Sequence, residues 1–233
     1  MTPLSSSRNR LLATLSPQDA DLIREALEPV ALSVRQRLET PDLPIEHVYF
    51  PERGIGSVIA VGRRDRRVES GLFGRDGMSG LSVVLGVDRS PHETFMQVEG
   101  VGRRIAAETL RNAMELSPTL RPFLLRYVHV RTVQSAQTGL SNAKFRMHQR
   151  LARWLLMCSD RIDEPEMPLT HAFLSVMLGV RRAGVTEAMH DLERQGLIGL
   201  NRGSVAVLDR PGLIAAADGS YGLPEAEYAR LIG

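Results

Sequence analysis

From Ser117-Pro118 to about Asp160 nothing but Gly139 interrupts a helical pattern. A single helix of ~40 residues would be ~60 Å long, too long to lie inside one small domain, so whatever flanks it must be organised around it. Its apolar face runs through Leu120, Leu124, Tyr127 and Val128, turns polar at Gln134, Ser135 and Thr138, and resumes at Leu151, Trp154 and Leu155. The simplest reading is a helix that pairs with its copy in a dimer. The alternative is two helices broken near Gly139 and packed within one chain.

The flanks differ in rhythm. Residues 8–28 read as a short entry helix, with Leu11, Leu12, Leu15, Leu22, Ile23 and Leu27 at helical spacing, Ser16 as an N-cap and Pro17 at a first helical position. From Val30 to Ile105 short apolar runs alternate with Gly and Pro: Val30–Val34, Val48–Phe50, Ser57–Val61, Val68–Phe73, Phe95–Val98 and Arg104–Ala106. Strands at that spacing predict a small β-barrel or sandwich. A short helix is expected from Ala106 to Asn112, continuing weakly to Leu116, and a Pro-containing polar turn at 163–168.

Charge is unevenly spread. Residues 1–117 carry 15 Arg against 16 acids, residues 118–161 carry 8 Lys and Arg against one acid, and residues 162–233 carry 6 Arg against 10 acids. The middle is therefore basic although the net charge is only +2. The one cysteine, Cys158, excludes an intramolecular disulfide or a Cys-rich metal site; set among Trp154, Leu155 and Met157, it reads as buried and inert. The six histidines (47, 92, 129, 148, 171 and 190) show no ligand-like spacing. No apolar run is long enough for a membrane span, and Met1–Arg10 has no apolar signal core, so a cytoplasmic protein is expected. Gly74–Gly80 is glycine-rich but lacks the Lys-Ser/Thr of a phosphate-cradling P-loop, and no nucleophile–base or paired-carboxylate set stands out, so no enzyme is expected.

The segment that carries chemistry is Thr170–Leu192. Thr170 can cap a helix whose inner face is Phe173, Leu174, Met177 and Leu178; Gly179 ends it, and a second helix turns Val185, Ala188, Met189 and Leu192 inward. This is helix-turn-helix spacing. The outward positions at the start of the second helix are Arg181, Arg182, Gly184, Thr186 and Glu187, where such proteins meet base edges in the major groove. Arg suits guanine and Glu accepts from cytosine. A hairpin follows around Asn201-Arg202-Gly203, its tip offering Arg202 and Ser204 to phosphate. His171 can touch phosphate as well. Two helices and a glycine turn are common in any fold; the order helix, turn, helix, basic-tipped hairpin is what favours a DNA reader.

With those residues in place, nearly the whole chain resembles the Crp/Fnr family of transcription regulators. Leu11–Leu15, Glu46–Pro51 and Gly54–Ser57 resemble its β-roll sensor, Gly74–Gly80 the loop region of its phosphate-binding cassette, Ser117–Cys158 its long dimer helix and Leu169–Leu208 its winged helix. The resemblance implies an α+β fold: a jelly-roll-like β-roll sensor domain at 1–116, a long dimerisation helix at 117–161 and a winged helix-turn-helix DNA-binding domain at 162–233. It implies a homodimer, a near-palindromic double-stranded operator, and RNA polymerase as a further partner. Thr170, His171, Arg202 and Ser204 would hold the backbone while Arg182, Thr186 and Glu187 specify bases. Where the family often reads Arg-Glu-Thr-Val-x-Arg, this chain reads Arg182-Ala183-Gly184-Val185-Thr186-Glu187, which implies a different operator.

The sensor departs further. The family's cyclic-nucleotide cassette needs a Gly-Glu pair and an Arg-Ser/Thr pair. Here Gly80 is followed by Leu81, and Arg89-Ser90 by Pro91, which has no N–H to offer. Gly80, Arg89 and Ser90 remain the candidate effector residues, without cyclic AMP as the expected ligand. No cofactor or metal is assigned. The alternative function is a small-molecule sensor acting mainly through protein partners.

Overall fold

The computed structural model describes residues 3–64, 66–169 and 171–233. The chain enters through two helices, α1 (Arg10–Ala13) and α2 (Pro17–Arg24), rather than the single entry helix expected. Ser16 is the reason: its Oγ accepts the Asp19 N–H at 3.1 Å, and Pro17 opens α2 without an N–H to continue α1.

Seven strands follow: β1 (Glu28–Leu32), β2 (Arg37–Glu39), β3 (His47–Pro51), β4 (Ile55–Val61), β5 (Arg67–Phe73), β6 (Glu93–Val98) and β7 (Gly100–Ala106). They form two antiparallel sheets in the orders β1-β7-β3 and β2-β6-β4-β5. Leu32, Leu38, Tyr49, Phe73 and Met96 fill the space they share. Only β2 lacks a counterpart among the apolar runs, since Leu38 is its one apolar residue. A short helix α3 (Leu81–Val84) follows Gly80, and α4 (Ala107–Leu116) follows β7.

The expected 40-residue helix is two helices, α5 (Leu120–Lys144) and α6 (Met147–Ser159). The break is at Phe145 and Arg146, both extended, and not at Gly139, which lies inside α5 with open space where a Cβ would stand. No Gly or Pro marks the break. The Arg146 N–H, freed by it, is taken up by Gln149 Oε1 at 2.7 Å. Pro122 sits in the first turn of α5, where a missing N–H costs no helical bond. α5 is about 37 Å long. Its first turns bury Phe123, Leu124 and Tyr127 against α2, α4 and β3. Beyond Val130 the same face meets β5, the edge strand of its sheet. There Gln134 Oε1 accepts the Leu72 N–H at 3.0 Å, and Arg131 donates to the Leu72 carbonyl. The polar turn in the helix pattern thus satisfies open backbone groups of a sheet edge.

The C-terminal part contains β8 (Glu166–Met167), α7 (His171–Met177), α8 (Arg182–Arg194), β9 (Ile198–Asn201), β10 (Ser204–Val207), α9 (Arg210–Ala216) and α10 (Leu223–Leu231), with sheet order β8-β10-β9. This part is not separate from the β domain. One buried cluster runs from Ile55, Ile59 and Leu72 through Trp154 and Leu155 to Met177. At its centre Trp154 Nε1–H donates to Glu69 Oε1 and Ser57 Oγ–H to Glu69 Oε2, both at 2.8 Å. Burial pushes the Glu69 carboxyl above the usual range. α10 returns along α5, where His129 meets Glu227 at 3.0 Å and Ile232 joins the α2–α4–α5 cluster.

Candidate nucleic-acid interface

α7 closes with Gly179 at φ +63°, a left-handed turn that costs only glycine little, and the Val180 N–H returns to the Ser175 carbonyl at 3.0 Å. Leu174 and Met177 of α7 bury against Val185, Ala188, Met189 and Leu192 of α8. The helix-turn-helix is therefore packed through the side chains its spacing predicts. That packing leaves Arg181, Arg182 and Glu187 exposed and Gly184 and Thr186 half-buried at the start of α8. Open space surrounds the position a Gly184 Cβ would take. The Thr186 hydroxyl donates back to the Arg182 carbonyl at 3.1 Å.

The wing is the hairpin β9–β10, turned at Arg202-Gly203 with Gly203 at φ +84°. Arg182, Asn201, Gly203 and Ser204 line one cleft of about 290 Å³, so the reading helix and the wing tip adjoin. Among the described residues Arg181, Arg182 and Arg202 make no ion pair. Ser204 is different: its hydroxyl donates to Glu166 Oε2 at 2.6 Å, and Asn201 donates to the other oxygen at 2.8 Å. Its proton is committed to β8, which corrects the expectation of a free phosphate contact. Thr170 lies outside the described residues, as does the side chain of His171.

Charge is sorted along α8. Its acids lie towards the C-terminal end, where Asp191 pairs with Arg194 and Glu193 with His190. The N-terminal turn keeps its arginines and the positive end of the helix dipole. The net-acidic composition of residues 162–233 therefore does not describe the presented face. Of the acids expected towards solvent, Glu227 pairs with Arg230 and His129, and Glu225 is half-buried. On the side facing the β domain, Arg181 shares a cleft with Arg66, Arg67 and Arg150, and the turn at Gly179 rests against Val68.

The candidate effector residues are not gathered in this way. The Gly80 N–H donates to Glu39 Oε1 at 2.7 Å, so a buried carboxylate occupies the donor a phosphate would want. Arg89 is exposed and pairs with Asp88 at 3.1 Å. The Ser90 hydroxyl accepts the His92 N–H at 3.1 Å. In the glycine-rich loop, Gly77 makes room for α5: a Cβ there would stand 1.8 Å from the Tyr127 hydroxyl, which accepts the Met78 N–H at 3.1 Å. Cys158 is fully buried, and burial pushes its thiol well up. Sequence reasoning missed the buried polar residues between the parts, Glu69, Arg131 and Arg161, because nothing local distinguishes a charge that meets a partner 60 or 85 residues away. Among the described residues no group of three His, Cys, Asp or Glu could hold a metal, and no helix is long and apolar enough to cross a membrane.

Comparison with known proteins agrees with this geometry. Residues 149–216 match the model of the Crp-like helix-turn-helix domain. No curated protein matches the sequence. Among solved structures, FixK2 from Bradyrhizobium japonicum is 16% identical with a TM-score of 0.69, over 82% of this chain and 96% of that one. A Crp/Fnr-family transcriptional regulator from Thermus thermophilus is 22% identical with a TM-score of 0.67, over 83% and 100%. CLP from Xanthomonas campestris, a global regulator responsive to c-di-GMP, is 17% identical with a TM-score of 0.61, over 82% and 99%. At these identities the structures speak for the fold, and the helix-turn-helix match speaks for the reading domain. By that domain and by its overall fold, this chain is a transcription regulator of the Crp/Fnr type, not an enzyme.

Proposed function

We propose that the chain is a homodimeric, sequence-specific regulator that reads a near-palindromic duplex through the start of α8 and is not gated by cyclic AMP. One observation carries the reading: Arg181 and Arg182, unpaired among the described residues, stand at the positive end of a buried-face helix beside a wing tip bearing Arg202. Arg182, Thr186 and Glu187 face base edges, and Arg181, Arg202 and the N-terminus of α7, with Thr170 and His171, hold phosphates. The dimer is supported by the exposed side of α5, where Leu125, Thr132, Ala136 and Leu140 recur at spacings of a helical seam. Two copies paired there would present two reading helices to half-sites about one turn apart, ~34 Å, and RNA polymerase would meet the assembled complex. The carboxylate on Gly80 and the pairing of Arg89 with Asp88 support a sensor that does not take a cyclic nucleotide in its cassette.

The test is selection of duplexes from a random pool, followed by titration of winners and scrambled DNA at fixed salt. Specific binding is expected to exceed scrambled by ~10³ or more. Arg182→Ala is expected to lose ~1–3 kcal/mol and to relax one base position. Binding unaffected by that substitution refutes the assignment. A sensor working through protein partners would show only sequence-blind binding.

A further inference from the structure

Outside the cassette, one cavity touches nearly every part of the molecule. It measures about 420 Å³ and lies where the loop after β5, the middle of α5, the end of α6 and helices α9 and α10 meet. Two of its arginines are spent on fold contacts. Arg161 holds Asp76 through two bonds of 3.0 and 2.5 Å, and Arg210 holds Asp160 at 2.6 Å and the Tyr221 hydroxyl at 2.8 Å. Arg10, Arg75 and Arg131 also line it, and the remaining lining carboxyl is Glu225, so the wall is net positive.

The wall also holds unused donors. The Nε of Arg75, the Nε of Arg131 and the hydroxyl of Tyr228 are all buried without a hydrogen-bond partner. They come from three different elements: the β5–α3 loop, α5 and α10. The Tyr228 hydroxyl feels the charges of Asp76, Arg10 and Arg161, which places it among the groups of the cavity. A buried donor with no acceptor costs ~1–3 kcal/mol, and three around one net-positive space are what an oxyanion would satisfy. None of Gly80, Arg89 and Ser90 lines this cavity.

We propose that this cavity binds a small carboxylate- or phosphate-bearing molecule, with Arg75, Arg131 and Tyr228 as donors. The site is distinct from the cyclic-nucleotide cassette. A ligand there would tie the β domain, α5 and the C-terminal helices together beside Arg161 at the end of α6. Any effect on operator affinity rests on the DNA-reading function proposed above; binding itself does not.

Isothermal titration of the full-length protein, in buffer free of both probes and without DNA, tests it with inorganic phosphate in one arm and succinate in the other. Saturable binding of one molecule per chain is expected in at least one arm, and the responding arm identifies the anion class. Tyr228→Phe is expected to weaken binding about tenfold, the loss of one charge-assisted hydrogen bond. Its ligand-free melting temperature should be unchanged or higher, since the deleted hydroxyl has no partner in the fold. Arg89→Ala should leave the affinity unchanged. No saturable binding in either arm overturns the proposal. So does Tyr228→Phe binding as tightly as wild type or melting lower, and so does loss of binding in Arg89→Ala, which would return the ligand to the cassette.

Discussion

Replacing Arg161 by Met is expected to be among the most damaging single changes in this protein. Arg161 ends α6, and its side chain is 6% exposed; the Asp76 side chain it grips is 16% exposed. Two guanidinium nitrogens reach the two carboxylate oxygens at 3.0 and 2.5 Å, and a third donates to the Met157 carbonyl at 2.6 Å. Methionine keeps most of the apolar stem and removes all three bonds. Asp76 would keep the Gly74 N–H, which donates to Oδ1 at 2.9 Å, and would lose its charge partner in a largely dry place. Removing one member of a buried pair costs ~3–5 kcal/mol. At ~2–4 °C per kcal/mol for a chain of this size, the melting temperature should fall by roughly 6–20 °C. Circular dichroism melts of wild type, Arg161→Met, Asp76→Leu and the double variant measure this. The double variant should be less destabilised than the sum of the singles, because the cost lies in the stranded charge rather than in the lost attraction. A single-variant loss below about 1 kcal/mol, the range of a water-screened surface pair, would refute the reasoning.

Three further outcomes are expected. Glu69→Gln should change how stability depends on pH: burial raises the folded-state pKa of Glu69, so the native state binds its proton more tightly than the unfolded chain does, and wild-type stability falls as pH rises from the unfolded value through the folded one. The variant, which cannot titrate, should gain on wild type as urea melts move from acid towards neutral pH, and a constant difference would contradict this. Ala136→Glu, on the exposed side of α5, should give a monomer by light scattering at concentrations where wild type is dimeric. Arg202→Ala should weaken binding to specific and scrambled duplexes alike and lower the slope of log affinity against log salt by ~1, whereas a sequence-dependent loss would make the wing tip a base reader.

The local signals that proved legible are those whose physics is local. Ser16-Pro17 starts α2 because a hydroxyl cap and a missing N–H act within one turn. Gly179 ends the first helix of the reader because a left-handed residue is needed there, and the apolar spacing of Val185, Ala188, Met189 and Leu192 turns α8 onto α7. Arg181, Arg182 and Glu187 were identifiable as presented residues because they fall on the opposite face of that spacing. Ser204 was misread because its acceptor, Glu166, lies 38 residues earlier and belongs to a two-residue strand with no sequence signature.

The sequence by itself determined the order of parts: strands first, a long basic helical segment, then helix, turn, helix and hairpin, since periodicity, caps and turn residues act over a few positions. Only the tertiary structure decided where the long segment breaks and what its polar stretch is for. The chain turns at Phe145–Arg146 without any breaker residue, because α5 must follow the β domain while α6 packs into the core beneath the reader. Gln134 and Arg131 satisfy the open edge of β5, Trp154 donates to a buried Glu69, and Arg161 closes on Asp76. Each is a polar side chain whose burial is tolerable only because a partner distant in sequence arrives beside it, and such meetings are set by how whole elements pack.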